Sequence, residues 1–193
     1  MKNSFFKGLV TIACLVSALF FFTSCGQEDY IGASAPITKR STPPDVPEIL
    51  EVGEGYEVSF HAYATGFQVY INTQTAPGVY NWVLKEPIAT LYSTPAYNGI
   101  VGTHYVGPTW ESNSGSTVVG TRLEGVTVDP NAIQWLKLGA VSSQGPGIFN
   151  GTKFIQRTNT VGGKAPATGA NASNVGEEIQ IPYTAEYYFY KAE

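Results

Sequence analysis

The sequence predicts an all-β domain, a single sandwich or barrel of many short, mainly antiparallel strands. Three observations carry that prediction. Apolar and polar residues alternate with a period of two, the alternating runs are rich in Val, Ile, Thr and aromatic residues, and Gly and Pro punctuate them at short intervals. No stretch keeps a helical period over three turns. The best helical candidate, Asn131 to Leu138, is ambiguous between helix and strand.

Before the domain, Lys2 and Lys7 precede an uncharged apolar stretch from Leu9 to Phe22. It is shorter than the ~20 residues that span a bilayer as a helix, and it has the build of a secretory signal. It runs into Phe22-Thr23-Ser24-Cys25-Gly26, where small residues before a cysteine resemble the bacterial lipoprotein cleavage signal, with Phe22 in the place of the usual Leu. The resemblance implies a leader over residues 1–24 and a mature Cys25 carrying a diacylglycerol and an acylated amine, with palmitate-type chains. One acyl chain holds a protein only marginally and several hold it durably. The alternatives are an ordinary secreted protein cleaved near Ser24 and an uncut signal anchor. Residues 25–47 are polar and Pro-rich (Pro36, Pro43, Pro44, Pro47) and read as a tether, about 25 Å long as a coil and at most about 70 Å if extended. Gln27-Glu28-Asp29 resembles the acidic signal by which some Gram-negative bacteria display lipoproteins on the outer face; it reads equally as the start of a solvated tether. The expected address is the cell envelope, lipid-anchored at the outer membrane.

The domain is expected over residues 48–193. Its first run alternates Tyr56, Val58, Phe60, Ala62 and Ala64 with Glu57, Ser59, His61 and Tyr63, so one set turns inward. Further strand-like runs cover 67–72, 80–84, 89–92, 100–106, 116–120, 135–141, 153–157, 179–183 and 185–190. Asn98-Gly99 and Asn150-Gly151 are candidate type I′ hairpin turns, a type that needs positive φ at both central residues.

Removing residues 1–24 from the 193 leaves 169, enough for one core; loss of Lys2 and Lys7 brings 11 Lys plus Arg to 9 against 15 Asp plus Glu, a formal balance of −6. No basic run tracks a phosphate backbone, so nucleic acid is not expected as a partner. With Cys14 in the leader and Cys25 lipidated, no thiol remains for a disulfide or a thiolate metal site. His61 and His104 stand at no recognised ligand spacing, and no metal is expected. Gly145-Pro146-Gly147 is the nearest approach to a dinucleotide fingerprint, but Asn150 replaces its third Gly and no strand-helix-strand unit surrounds it, so no nucleotide cofactor is expected. No Gly-x-Ser-x-Gly elbow occurs, and Ser114-Gly115-Ser116 reads as a turn.

Two blocks stand out, Gly102-Thr103-His104-Tyr105-Val106-Gly107-Pro108-Thr109-Trp110-Glu111 and Ile155-Gln156-Arg157-Thr158-Asn159-Thr160-Val161-Gly162-Gly163-Lys164-Ala165-Pro166. With Gly66 to Tyr70, Trp82, Ala132 to Leu136 and the ending Tyr183 to Tyr190, they resemble domain-of-unknown-function family 3455, exported bacterial and fungal proteins without an established activity. The resemblance covers about Val46 to Tyr190. Many members of that family carry cysteines at the position of Asn72 and near Ala170, which implies that the Asn72 strand lies beside the loop around Ala170. The family often has Asp where Ser114 stands.

His104 with Glu111 could do general acid-base work, with Arg157 as a planar clamp and Asn159 as a neutral donor. The plainer alternative is a Glu111–Arg157 ion pair pinning two loops, with His104 a hydrogen-bonded strand residue. Trp110, in a Gly/Pro-bounded segment, is the expected exposed ligand contact, with Tyr105 and Asn159 beside it, while Trp82 and Trp135 are expected in the core. The last strand carries rings on both faces; one face fills the core and the other either forms an exposed platform or pairs across strands. Three functions follow: a binding or interaction module with glycan or envelope polymer as first ligand class, a hydrolase or lyase using His104 with Glu111 or Arg157, or a purely structural envelope protein.

Overall fold

The computed structural model describes residues 41–193; the expected leader, Cys25 and the expected tether up to residue 40 lie outside the described residues. The described residues form eight strands: β1 (Tyr56–Ala76), β2 (Val79–Tyr92), β3 (Ile100–Tyr105), β4 (Thr109–Ser112), β5 (Thr117–Val126), β6 (Trp135–Gln144), β7 (Thr152–Gly162) and β8 (Glu178–Ala192). Each pairs antiparallel with the next, and β8 returns to β1, closing an up-and-down barrel. The choice between sandwich and barrel is settled by the long β1–β8 ladder, which runs from Tyr56↔Ala192 to Ile71↔Glu178.

Several expected runs fuse. Gly66 does not break β1. Its backbone passes so close to β2 that an added Cβ would stand 2.0 Å from the Ile88 carbonyl oxygen, so only glycine fits. Pro87 sits inside β2 beyond the end of the β2–β3 ladder, which begins at Ala89↔His104, so its missing N–H interrupts no pairing with β3. Just before it, Lys85 is an extra residue between Tyr70↔Leu84 and Val69↔Glu86. Asn131 to Leu138 contains no helix: Ala132 bridges to Gly163, and Trp135 opens β6.

Neither expected type I′ turn forms. Gly99 and Gly151 have positive φ but Asn98 and Asn150 do not, and each pair ends a seven-residue loop (93–99 and 145–151). The two-residue hairpin is Pro77-Gly78, with Gly78 at φ +75.

The core fills one end of the barrel. Ala62 and Ala64 of β1 turn into it, and Tyr183, Ala185, Tyr187 and Phe189 of β8 meet them, while Gln68, Tyr70 and Asn72 are buried farther along β1. Phe149, from the β6–β7 loop, is fully buried with its ring 4.5 Å from Phe189 and 6.2 Å from Phe60. Its carbonyl accepts from Ser143 Oγ and Thr152 Oγ1, and its N–H donates to Ser116 Oγ, so hydroxyls from β6, β7 and the β4–β5 turn hold the loop. Outside the wall, Tyr188 and Tyr190 pack with Val58 under Val52, Tyr56 and Phe154. The outward rings at that end of β8 are therefore covered. A 3-10 turn at Glu48–Leu50 lies over this side, where Gln156 Nε2 donates to the Leu50 carbonyl and Tyr190 OH donates to Gln156 Oε1.

Candidate functional site

The end opposite Phe149 carries the Pro77-Gly78 hairpin and the loops 106–108, 127–134 and 163–177. Here a cavity of about 570 Å³ enters the barrel. Because β2 leaves β3 above Ala89, a gap opens in the wall; Leu84 to Pro87 and Gly107-Pro108 stand beside it and both line the cavity. The deeper walls include Gln68, Tyr70, His104, Trp110, Arg157 and Tyr187.

His104, Trp110 and Val118 lie in register across β3, β4 and β5, and all three are buried. The His104 ring stacks on the Trp110 indole at 4.3 Å and 10°, and meets Tyr187 edge-on at 5.2 Å. Its Nδ1 lies 2.8 Å from the Thr109 carbonyl oxygen. A carbonyl only accepts, so Nδ1 carries the hydrogen and Nε2 is left as an acceptor. Burial drives the His104 pKa down to about 3; the Thr109 carbonyl opposes this and the Arg157 charge adds to it. The imidazole is neutral near pH 7.

Arg157 projects inward from β7, opposite Tyr187 on β8 and Leu136 on β6. Its Nε and Nη2 donate to the Gln134 carbonyl at 3.1 and 2.8 Å, which uses two of the five N–H donors of a guanidinium. No carboxylate among the described residues pairs with it.

His104 and Arg157 thus share one cavity, but Glu111 does not join them. It follows inward-facing Trp110 in β4 and turns outward, where it accepts from Tyr105 OH at 2.8 Å. The expected His104–Glu111 partnership and the Glu111–Arg157 ion pair are both absent for this reason. Asn159 is also outside. It sits at φ +47 in a bulge of β7 and donates from Nδ2 to Glu186 Oε1 at 3.0 Å. Trp110 is the reverse of an exposed contact: it is 1% exposed, because β4, though short, is a paired strand that aims the indole inward. Trp82 and Trp135 are half-buried rather than core.

The histidine that does meet a carboxylate is His61, whose Nε2 donates to Glu186 Oε2 at 2.7 Å on the outer wall while its ring stacks on Tyr188 at 3.9 Å. Burial lowers its pKa, against the pull of Glu186. The expected alternation of β1 holds from Phe60 to Ala64, with His61 on the opposite, outer side, but a bulge at Ser59 (Val58↔Tyr190, then Phe60↔Phe189) puts Tyr56 and Val58 on the outer side instead of inward with Phe60. Gln68 and Tyr70, read as part of a block without a role, are cavity walls. Tyr70 OH donates to the Gly163 carbonyl at 2.6 Å. Asn72 lies beside the expected loop, with Nδ2 donating to the Asn171 carbonyl at 2.8 Å and to Asn174 Oδ1.

Fold and site together define a class: a closed eight-stranded up-and-down barrel, plugged at one end and hollow at the other. Barrels of this strand number either fill with side chains or hold one small ligand. Residues 53–191 match the family described as Protein of unknown function (DUF3455), and the chain belongs to it. No curated protein and no solved structure matches the chain.

Proposed function

We propose that this protein is a lipid-tethered binding protein of the cell envelope that takes a small molecule into its barrel. The observation that carries the reading is the cavity itself. Its volume of about 570 Å³ falls within the range of ligand pockets, and its walls combine apolar surface with a few polar groups. The Phe149 plug argues for a small molecule or a chain end rather than an envelope polymer running through. Catalysis has less support, since His104 is a weak base at neutral pH and Glu111 faces away. The tether rests on the Cys25 signal alone.

A cavity-filling variant tests the reading. In a thermal-shift screen of small organic acids, alcohols and sugars, a bound compound raises the melting temperature of the unaltered protein by mass action. Leu136→Trp, on the cavity wall, is expected to abolish that rise, and Val141→Trp, 63% exposed, is expected to leave it intact. Equal responses from the two variants would move binding off the barrel interior.

A further inference from the structure

We propose that the ligand is a small carboxylate with an apolar body, its acid group held by Arg157 and its body against the Trp110, Ile133 and Leu136 walls. The assignment rests on the interior-binding reading and adds the chemical class. The cavity lining carries four cationic residues, Lys85, Arg122, Arg157 and Lys164, and one carboxylate, Glu86, in a chain of formal net charge −4. Lys85 is already paired, with Glu178 at 2.7 Å and Glu86 at 3.8 Å. Arg122, Arg157 and Lys164 have no carboxylate partner among the described residues. Positive charge concentrated in a cleft raises the local concentration of anions.

The buried donors are a second, independent feature. Trp110 Nε1 has no hydrogen-bond partner, and Gln68 Nε2 has only the neighbouring Tyr183 hydroxyl, outside hydrogen-bond geometry, in side chains 1% and 2% exposed that both line this cavity. Donors left without acceptors in a buried place are costly, and an acceptor-rich ligand group relieves the cost. A carboxylate offers about four acceptor sites and suits the planar guanidinium fork. The arrangement disfavours cationic ligands, because the one lining carboxylate is near Lys85. Leu84, Pro87, Ile133 and Leu136 supply apolar walls for the body of the ligand.

Calorimetric titration of the purified protein with 1-naphthoate, decanoate and the neutral amide of each tests the assignment. At least one acid is expected to bind about 10- to 100-fold more tightly than its amide, the range for a hydrogen-bonded charge, and to weaken as salt rises. Arg157→Gln is expected to erase that preference while leaving amide binding in place. The acid-to-amide ratio is read on the unaltered protein, so it stands even where the variant fails to fold. Equal binding of acid and amide overturns the anion assignment and leaves interior binding standing. A preference that persists in Arg157→Gln overturns the role of Arg157. Absence of binding by all four compounds counts against the interior-binding reading as well.

Discussion

Burial fixes the chemistry of His104 and gives the barrel a pH dependence. An unfolded histidine protonates near pH 6.5, whereas His104 in the fold resists protonation down to about 3. Between those values the unfolded chain binds a proton that the native chain does not, so stability falls as pH is lowered from about 6.5 toward 3 and is unaffected by this residue above 6.5. The slope is about 1.4 kcal/mol per pH unit. His104→Asn, which keeps a donor for the Thr109 carbonyl, is expected to flatten that part of the curve in denaturant titrations from pH 4 to 8; an unchanged slope would mean that His104 is protonated in the fold. The inward direction of His104 was legible once β3 was read as a strand. The outward direction of Glu111 was equally legible, since neighbours in a strand face opposite ways and Trp110 precedes it. What hid it was the expectation of Trp110 as an exposed contact in a Gly/Pro-bounded segment, because β4 is only four residues long and its pairing partners are set by the whole barrel.

At the scale of elements, glycine and proline misled where their role depends on a neighbouring strand. Gly66 and Pro87 looked like breaks between runs, yet each lies within a continuous strand, one because β2 passes too close for a side chain and the other because β3 is not there to pair. The plug is the element with the largest single leverage. Phe149→Ala is expected to destabilise the domain by about 3 to 5 kcal/mol, as truncation of a fully buried aromatic does. A loss below about 1 kcal/mol in chemical denaturation would show that the loop packs loosely. The contact between β1 and the loop around Asn171 was legible from the resemblance alone, through paired cysteines that this chain replaces with Asn72 and Ala170. Asn72→Cys with Ala170→Cys is expected to form a disulfide on oxidation and raise stability by up to about 4.7 kcal/mol, the entropic figure for a loop near 100 residues. Two free thiols after oxidation would place the pair out of reach.

For the whole molecule, composition and periodicity carried the all-β class, while closure could not be read, since it depends on β1 finding β8 across more than a hundred residues. The cavity was illegible for the same reason: Gln68, His104, Trp110, Arg157 and Tyr187 come from five different strands and meet only when the sheet closes. Cys25 belongs to this scale too. Cys25→Ser is expected to release the protein from the membrane fraction, and continued sedimentation with membranes would count against a lipid anchor. The most direct test of interior binding follows the indole N–H of Trp110 by nuclear magnetic resonance during titration with 1-naphthoate, with Trp110→Phe identifying the signal. The Trp110 signal is expected to move as its unpartnered Nε1–H gains a neighbour, while that of Trp82, already donating to the Thr168 carbonyl at 3.1 Å, stays in place. A shift of the Trp82 or Trp135 signal with Trp110 unmoved would put the ligand on the outer surface and contradict the barrel as a container.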